Sequence, residues 1–127
     1  MNSPVILVID DDAVVRNIVQ RDLEMAGYRV VVAGDGREGL AQFWLVAPDL
    51  LIIDLIMPEM DGIETIMELR KRRITTRILA ISGGGRLGNR DILRVARLLG
   101  ADDTLAKPFH HADLTDKVQR LLAAPPG

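Results

Sequence analysis

The chain has 127 residues, 48% of them apolar, which suits one domain that buries a hydrophobic core without disulfides or structural metals. It has no cysteine, which excludes disulfides, thiolate metal sites and cysteine nucleophiles, and its net charge of −2 argues against a broad basic face for nucleic acid. Only Met1–Pro4 precede the first apolar run, and no apolar stretch reaches the roughly 18 residues that span a bilayer. We therefore expect no signal peptide, no membrane contact and a cytoplasmic location.

The first half of the chain alternates between short apolar runs and segments of helical periodicity. Val5–Ile9 is typical of a strand buried on both faces. The helix predicted next has Asp12 as its N-cap and Gly27 as its terminator. Its apolar side consists of Val14, Val15, Ile18, Val19, Leu23 and Ala26. Residues 28–33 form the second predicted strand. A second helix ends before Pro48 and carries Leu40, Ala41, Phe43, Trp44 and Ala47.

The alternation continues in the second half. Residues 50–53 and 78–81 are predicted strands that stop at Asp54 and Ser82, and a weak fifth strand at 104–106 stops at Lys107. A third helix covers roughly 63–72. Helical spacing in the last two helices comes from Ile92, Val95, Ala96 and Leu99, and from Leu114, Val118, Leu121 and Leu122. Five such units predict one α/β domain over 1–127, with a parallel sheet covered by helices on both faces, a core at about 5–122 and a tail at 123–127.

The polar residues that end the apolar runs are the candidates for function. They are Asp10, Asp11, Asp54, Ser82 and Lys107. Because parallel strands end at one edge of the sheet, these side chains are predicted to share a cleft. Three carboxylates and one ammonium leave a charge of −2, which suits a hard divalent cation such as Mg²⁺ and not zinc, since no histidine or cysteine is present there. An aspartate in such a cleft can attack phosphorus and form an acyl phosphate.

Several other motifs have an ordinary structural interpretation. Asp12 is expected to cap a helix, Asp61 to sit in a turn, and the basic run Arg70–Arg73 to complement the dipole of a helix C-terminus. His110 and His111 are expected to be exposed at the start of the last helix. The run Gly83–Gly85 is either a flexible connector or a loop whose amides approach a phosphate.

Four motifs together resemble the receiver domain of bacterial two-component response regulators. They are Val8–Asp12, Asp54–Gly62, Ala80–Gly83 and Lys107–Phe109, in the order and approximate spacing of that family. The resemblance covers residues 5 to about 122. It implies a flavodoxin-like, doubly wound sheet with strand order 2-1-3-4-5. It also implies a phosphoacceptor switch that promotes only its own phosphorylation and dephosphorylation.

The resemblance also assigns roles to individual residues. Asp54 would accept a phosphoryl group from a phosphohistidine of a sensor histidine kinase or histidine phosphotransfer protein. Asp11, Asp54 and the Ile56 carbonyl would bind Mg²⁺ (or Mn²⁺), with Asp10 acting largely through water. Ser82, Lys107 and the amides of Ile56 and Gly83 would hold phosphoryl oxygens, and the Lys107–Pro108 peptide would be cis.

Two positions depart from the family pattern. Thr104 stands where many relatives carry an aromatic ring that rotates on activation, so a signal would have to pass through Ser82, the glycine loop and surface charges. Ile56 stands where polar side chains are frequent, which leaves the lifetime of the phosphorylated form open.

Alternative functions and partners are kept open. A haloacid-dehalogenase-type phosphatase would use Asp10 as nucleophile and Asp12 as acid, although the acidic motif expected after Lys107 is absent. A degenerate receiver would serve only as an interaction module. We expect a monomer or weak dimer without an output domain, either a stand-alone regulator or an excised receiver, that docks on an unknown downstream protein. A charged surface on the last two helices and strand either stays solvated or docks; it comprises Arg94, Arg97, Asp102, Asp103, Lys117 and Arg120.

Overall fold

Strands and helices alternate through the whole computed structural model, which describes residues 3–57, 62–83 and 89–123. The strands are β1 (Val5–Ile9), β2 (Arg29–Ala33), β3 (Leu50–Asp54), β4 (Arg77–Gly83) and β5 (Asp103–Lys107). The helices are α1 (Ala13–Met25), α2 (Gly36–Val46), α3 (Gly62–Lys71), α4 (Asn89–Leu99) and α5 (His111–Ala123). All strand pairs are parallel and the order is β2-β1-β3-β4-β5, so the predicted fold and strand order are confirmed.

The sheet separates two hydrophobic clusters, because successive side chains of a strand point to opposite faces. In β1, Ile6 and Val8 pack with α1 and α5, whereas Leu7 and Ile9 pack with α2, α3 and α4. Both faces of β1 and β3 are therefore covered, which explains why their sequences are continuous apolar runs and not alternating ones. The helices on both sides leave the strand ends as the place where polar groups meet.

Helix α1 differs from its predicted packing. Asp12 caps it as expected, accepting from the amide of Val14 at 2.9 Å, and Val19 and Leu23 are buried. The predicted apolar side was too wide, since Val14 and Ile18 are 66% and 44% exposed, and Ala26 is exposed as well. Each residue turns a helix by about 100°, which places Val14 and Ile18 around the side of α1.

Smaller differences follow the same logic in other elements. Trp44 of α2 and Val95 of α4 are about half exposed, because α2 buries Gly36, Gly39 and Phe43 instead and α4 buries Ala96. Strands β4 and β5 extend beyond the predicted apolar runs, since the backbone ladder continues through polar residues. Asp61, Gly84, Gly85 and residues 124–127 lie outside the described residues. In the described part of the chain, no helix is long and apolar enough to cross a membrane.

An ionic cluster that we did not predict lies at the amino edge of the sheet. The carboxylate of Asp102 accepts from Arg70 at 3.1 Å, from Arg77 at 3.3 Å and from the amide of Ile78 at 2.8 Å. The Asp102 carboxylate is therefore not simply solvated, whereas docking at the surface to which it was assigned stays a prediction. Arg70 also does more than complement the α3 dipole, because it donates to the carbonyl oxygens of Gly100, Ile74 and Thr76.

Candidate functional site

Polar side chains converge where the central strands end, at the carboxyl edge of the sheet. Asp10 directly follows β1, and its amide continues the pairing with β2 by donating to the carbonyl of Ala33 at 3.2 Å. Asp54 ends β3 opposite Ile81, so Ser82 lies one residue further along β4. Lys107 ends β5 opposite Gly83. The parallel register therefore delivers one chemical group from each of four strands to the same edge.

Three carboxylates form a possible metal site. Asp10, Asp11 and Asp54 each offer one oxygen, and these oxygens lie within 4.8 Å of one another. Asp10 is fully buried and Asp54 is 4% exposed, whereas Asp11 is exposed. An all-oxygen donor set of this kind fits Mg²⁺, which takes few carboxylates and keeps several waters. Since Asp10 and Asp54 already accept other bonds, Asp11 offers the most accessible oxygens.

Lys107 joins two of these carboxylates. Its Nζ donates to Asp10 Oδ2 at 2.8 Å and to Asp54 Oδ2 at 3.1 Å. Burial alone would lower the pKa of Lys107, but the hydrogen bond to Asp10 and the charge of Asp54 together raise that pKa above its ordinary value. The side chain is therefore a permanent cation. The Lys107–Pro108 peptide bond is cis, as the resemblance implied.

Asp54 has an unusual electrostatic environment. Burial raises its pKa to about 6, and the neighbouring charge of Asp10 adds to the rise, while a hydrogen bond from the Ile56 amide and the charge of Lys107 oppose it. The Ile56 amide donates to Asp54 Oδ1 at 3.1 Å, and the Ile56 side chain is 51% exposed. Asp54 is therefore mostly ionised at neutral pH, but its proton is held far more tightly than that of an ordinary aspartate.

Ser82 contributes a hydroxyl without a partner. Within the described residues, Ser82 Oγ is buried and makes no hydrogen bond. Such a group is costly to leave unpaired, so it is suited to an oxygen that enters the site. The adjacent Gly83 packs against the Lys107 stem, since a Cβ at Gly83 would lie 3.3 Å from Lys107 Cδ.

Two residues near the site had no predicted role there. Gly62 was assigned to a turn, but it begins α3 so close to β3 that a Cβ would lie 2.3 Å from the carbonyl oxygen of Asp54. Arg16 of α1 donates from Nη1 to the carbonyl of Asp10 at 2.8 Å. The Asp61-Gly62 dipeptide hinted at a special backbone at Gly62, whereas nothing in the local pattern distinguished Arg16 from other helix arginines.

The comparisons with known proteins agree with this geometry. A sequence model of the response regulator receiver domain matches residues 6–119. The chain belongs to the response regulator receiver domain family. The chain is 39% identical over 118 residues to the response regulator MprA of Mycolicibacterium vanbaalenii, covering 92% of this chain and 49% of that protein. It is 35% identical to the alkaline phosphatase synthesis transcriptional regulatory protein PhoP of Bacillus subtilis, covering 92% and 48%.

Solved structures show the same architecture. The receiver domain of NtrX from Brucella abortus superimposes with a TM-score of 0.88 at 30% identity, covering 94% of this chain and 99% of that one. The receiver domain described here spans about half the length of the curated relatives that it matches.

The remaining predicted positions are placed as follows. Thr104 lies half-buried in β5, and the receiver domain thus has no aromatic ring there. His110 and His111 are exposed, as expected, and His111 Nδ1 lies 3.4 Å from Asp22 Oδ2. The metal-binding role of the Ile56 carbonyl and the phosphoryl-binding roles of the Ile56 and Gly83 amides stay predictions.

Proposed function

We propose that this receiver domain is a phosphoryl switch whose acceptor is Asp54. The donor is a phosphohistidine of a sensor histidine kinase or histidine phosphotransfer protein, and the altered domain docks on a downstream protein. The observation that carries the proposal is the position of Lys107, which bonds Asp54 and Asp10 at once while Asp11 converges on the same point. The cytoplasmic location and the monomeric or weakly dimeric state stay predictions.

The chemistry requires a nucleophilic oxygen and a way to neutralise the charge of the incoming group. A carboxylate oxygen of Asp54 attacks phosphorus, the bond from phosphorus to the histidine nitrogen breaks, and the electron pair returns to the imidazole, which takes up a proton from solvent. An ammonium has three donors, and Lys107 uses two of them on Asp10 and Asp54. The third donor is available for a phosphoryl oxygen, as are the Ser82 hydroxyl and the amides of Ile56 and Gly83.

Asp10, Asp11, Asp54 and the Ile56 carbonyl are the groups that would hold Mg²⁺ or Mn²⁺. When bound, the cation supplies positive charge that stabilises the phosphoryl oxygens during transfer. The chain's own part is to hold the carboxylates close together. Lys107 does this for the two buried ones, since its charge offsets part of their mutual repulsion.

A groove beside the site supports a protein donor. Val15, Ile18, Pro108 and Phe109 line a cavity of about 480 Å³ that also reaches Lys107. Val14 and Ile18 add exposed apolar surface on the adjacent side of α1. An amphipathic helix that carries the phosphohistidine would bury this apolar surface while its imidazole approaches Asp54.

The two alternative functions fit the geometry less well. A phosphatase of that type would use Asp10 as its nucleophile, but the Asp10 side chain is fully buried. The Asp12 carboxylate caps α1 and is not positioned as an acid. A degenerate receiver would lack a member of the site, whereas the acidic, hydroxyl and ammonium groups are all present at one edge.

The test is covalent labelling of the purified chain. After incubation with acetyl phosphate and MgCl₂, intact-mass measurement should show one phosphoryl adduct, and Asp54→Asn should abolish it. Asp49→Asn is the matched control, because Asp49 lies just before the other end of β3 and its carboxylate accepts from the Val5 amide at 2.8 Å. An adduct that persists in Asp54→Asn, or release of phosphate with turnover, would contradict the proposal. No adduct in any variant would favour the degenerate module.

A further inference from the structure

Arg16 lies behind the carboxylate cluster and not within it. Its side chain is half-buried on α1, and Nη1 donates to the carbonyl oxygen of Asp10 at 2.8 Å. That carbonyl belongs to the peptide group between Asp10 and Asp11, at the point where the chain leaves β1. The bond joins α1 directly to the segment that carries two of the three clustered carboxylates.

This bond completes the fixation of Asp10. The Asp10 amide donates to Ala33, its Oδ1 accepts from the Asp12 amide, and its Oδ2 accepts from Lys107. With Arg16 on the carbonyl, every polar atom of Asp10 has a defined partner. Asp10 therefore has one orientation, set by contacts with three different elements.

Asp11 is held in a different way. Its side chain is exposed, and within residues 3–57, 62–83 and 89–123 its carboxylate accepts no hydrogen bond. A peptide group is planar, so the orientation of the Asp10 carbonyl also sets the direction in which the Asp11 backbone leaves. Arg16 thus fixes a peptide group whose orientation helps to bring the Asp11 carboxylate toward Asp10 and Asp54.

The absence of a side chain at Gly34 leaves room for the Arg16 guanidinium. A Cβ at Gly34 would lie 3.3 Å from Arg16 Nη1, closer than an ordinary van der Waals contact. The Gly34 amide donates to Glu38 Oε2 at 3.2 Å, so this glycine cannot move away without losing that bond. The end of β2 is therefore shaped to admit the Arg16 side chain.

We infer that Arg16 is a positioning residue for divalent-cation binding, acting through the Asp10 carbonyl on the placement of Asp11. The inference rests on the proposed function, since it concerns the same carboxylates. The direction of the change in Mg²⁺ affinity distinguishes this positioning role from a simple effect of the arginine's charge. Removal of a cation near an acidic cluster should strengthen Mg²⁺ binding by electrostatics alone, whereas loss of positioning should weaken it.

The experiment is a titration of Mg²⁺ by calorimetry on the unaltered chain, Arg16→Met, Arg16→Lys and Gly34→Ala. Loss of a residue that orients a metal ligand typically costs about tenfold or more in affinity, so we expect Arg16→Met to raise the Kd roughly tenfold. Arg16→Lys keeps the charge but loses the planar donor, and Gly34→Ala crowds the guanidinium. The Kd of both variants should therefore lie between the values for the unaltered chain and for Arg16→Met. The matched control is Arg21→Met, which removes an exposed arginine from the same helix and should leave the Kd unchanged.

A kinetic measurement adds a second criterion. The rate of labelling by acetyl phosphate should fall in Arg16→Met at low Mg²⁺ and recover at saturating Mg²⁺, because Asp54 and Lys107 do not contact Arg16. If Arg16→Met does not fold, Arg16→Lys and Gly34→Ala carry the same test. Equal or tighter Mg²⁺ binding in the Arg16 variants would overturn the inference. No Mg²⁺ binding by the unaltered chain would instead contradict the proposed function.

Discussion

The two edges of the sheet carry ionic clusters of opposite character. At the carboxyl edge, three carboxylates face one ammonium, and the surplus is negative. At the amino edge, Arg70 and Arg77 share the single carboxylate of Asp102, and the surplus is positive. Both clusters are partly buried, so charge alone does not distinguish a site from a structural contact.

The two clusters differ in whether their remaining hydrogen-bonding groups already have partners. The remaining N–H groups of Arg70 donate to backbone carbonyls of the loops before β4 and after α4, and Asp102 also accepts from the Ile78 amide. At the carboxyl edge, Asp11 is exposed, and among the described residues the buried Ser82 Oγ has no partner. Arg77 Nε is likewise buried and unpaired in that part of the chain, so one unpaired atom does not distinguish a functional site. What distinguishes the carboxyl edge is its surplus charge together with the exposed Asp11 carboxylate, whose oxygens an incoming cation can reach.

The largest effect is expected from a substitution that disrupts the ionic cluster at the amino edge of the sheet. Arg70→Met should lower the free energy of unfolding by about 3 kcal/mol, because it removes several charge-assisted bonds and leaves Asp102 with fewer partners. Urea unfolding measures the change. Arg72→Met is the control, since Arg72 is 57% exposed and makes an ion pair with Glu68 and a contact with the Trp44 ring at 5.3 Å, which together are worth about 1 kcal/mol. Equal losses in the two variants would contradict the structural role of Arg70.

The second prediction sharpens the contrast by adding the ion. At a hundredfold excess over its dissociation constant, Mg²⁺ should stabilise the folded state by about 2.7 kcal/mol. Asp11→Ala should remove most of that stabilisation, whereas Asp113→Ala, which removes an exposed carboxylate from α5, should not. Thermal melts with and without MgCl₂ measure both. An identical melt in the two conditions would count against the metal site.

The third prediction concerns pH. In the folded state the pKa of Asp54 is raised from 3.8 to about 6, so the folded chain binds this proton more tightly than the unfolded chain does. Burial of the ionised Asp54 carboxylate therefore destabilises the folded chain. This destabilisation is absent at a pH below 3.8 and complete at a pH above about 6, so the free energy of unfolding falls as pH rises between the two. Asp54→Asn should therefore stabilise the metal-free chain at pH 7.5 by up to about 3 kcal/mol, since the pKa rises by about two units and each unit is worth about 1.4 kcal/mol.

Unfolding of both proteins in EDTA across this pH range measures the difference. It should shrink to less than about 1 kcal/mol as pH falls to about 4, where the Asp54 carboxyl is protonated in the folded chain and partly protonated in the unfolded chain. Asp49→Asn, at the other end of β3, should show no such trend. A stabilisation that is independent of pH would show that burial of the Asp54 charge is not its cause.

The smallest effect concerns the groove beside the site. Ile18→Glu should leave stability within about 0.5 kcal/mol, because Ile18 is 44% exposed. It should slow transfer from a phosphorylated histidine protein by about tenfold, since a charge would be buried against an apolar partner surface. Labelling by acetyl phosphate should be unaffected. Leu45→Glu on α2 is the control, and equal slowing by the two substitutions would exclude a specific role for the groove.

The fold and the centre of the site could be predicted because both depend on a short-range pattern. Four of the five apolar runs ended at a polar residue, and parallel pairing then placed Asp10, Asp54, Ser82 and Lys107 at one edge. The strand order was predicted from the family resemblance and not from the apolar runs. Positions such as the weak β5 were correct in place but short by a residue at each end, because backbone pairing does not require apolar side chains.

The long-range ionic contacts could not be predicted. Arg70 and Asp102 are 32 positions apart, and each has an ordinary local role, at a helix end and in a charged run. The same holds for Arg16, whose partner is a backbone carbonyl that any residue type provides. Long charged side chains reach in many directions, so only the folded backbone decides which of them become structural.

The burial of β3 has a consequence for how information leaves the domain. Residues Leu50–Ile53 are fully inaccessible to solvent, and β3 has a neighbouring strand on each side. A close-packed interior of this kind yields very little, so a group added to Asp54 cannot push the strand beneath it. Under the proposed function, the backbone that supports Asp54 therefore keeps its position when the phosphoryl group is added. A partner that distinguishes the two forms would then have to recognise surface outside the sheet, since the sheet itself would be alike in both.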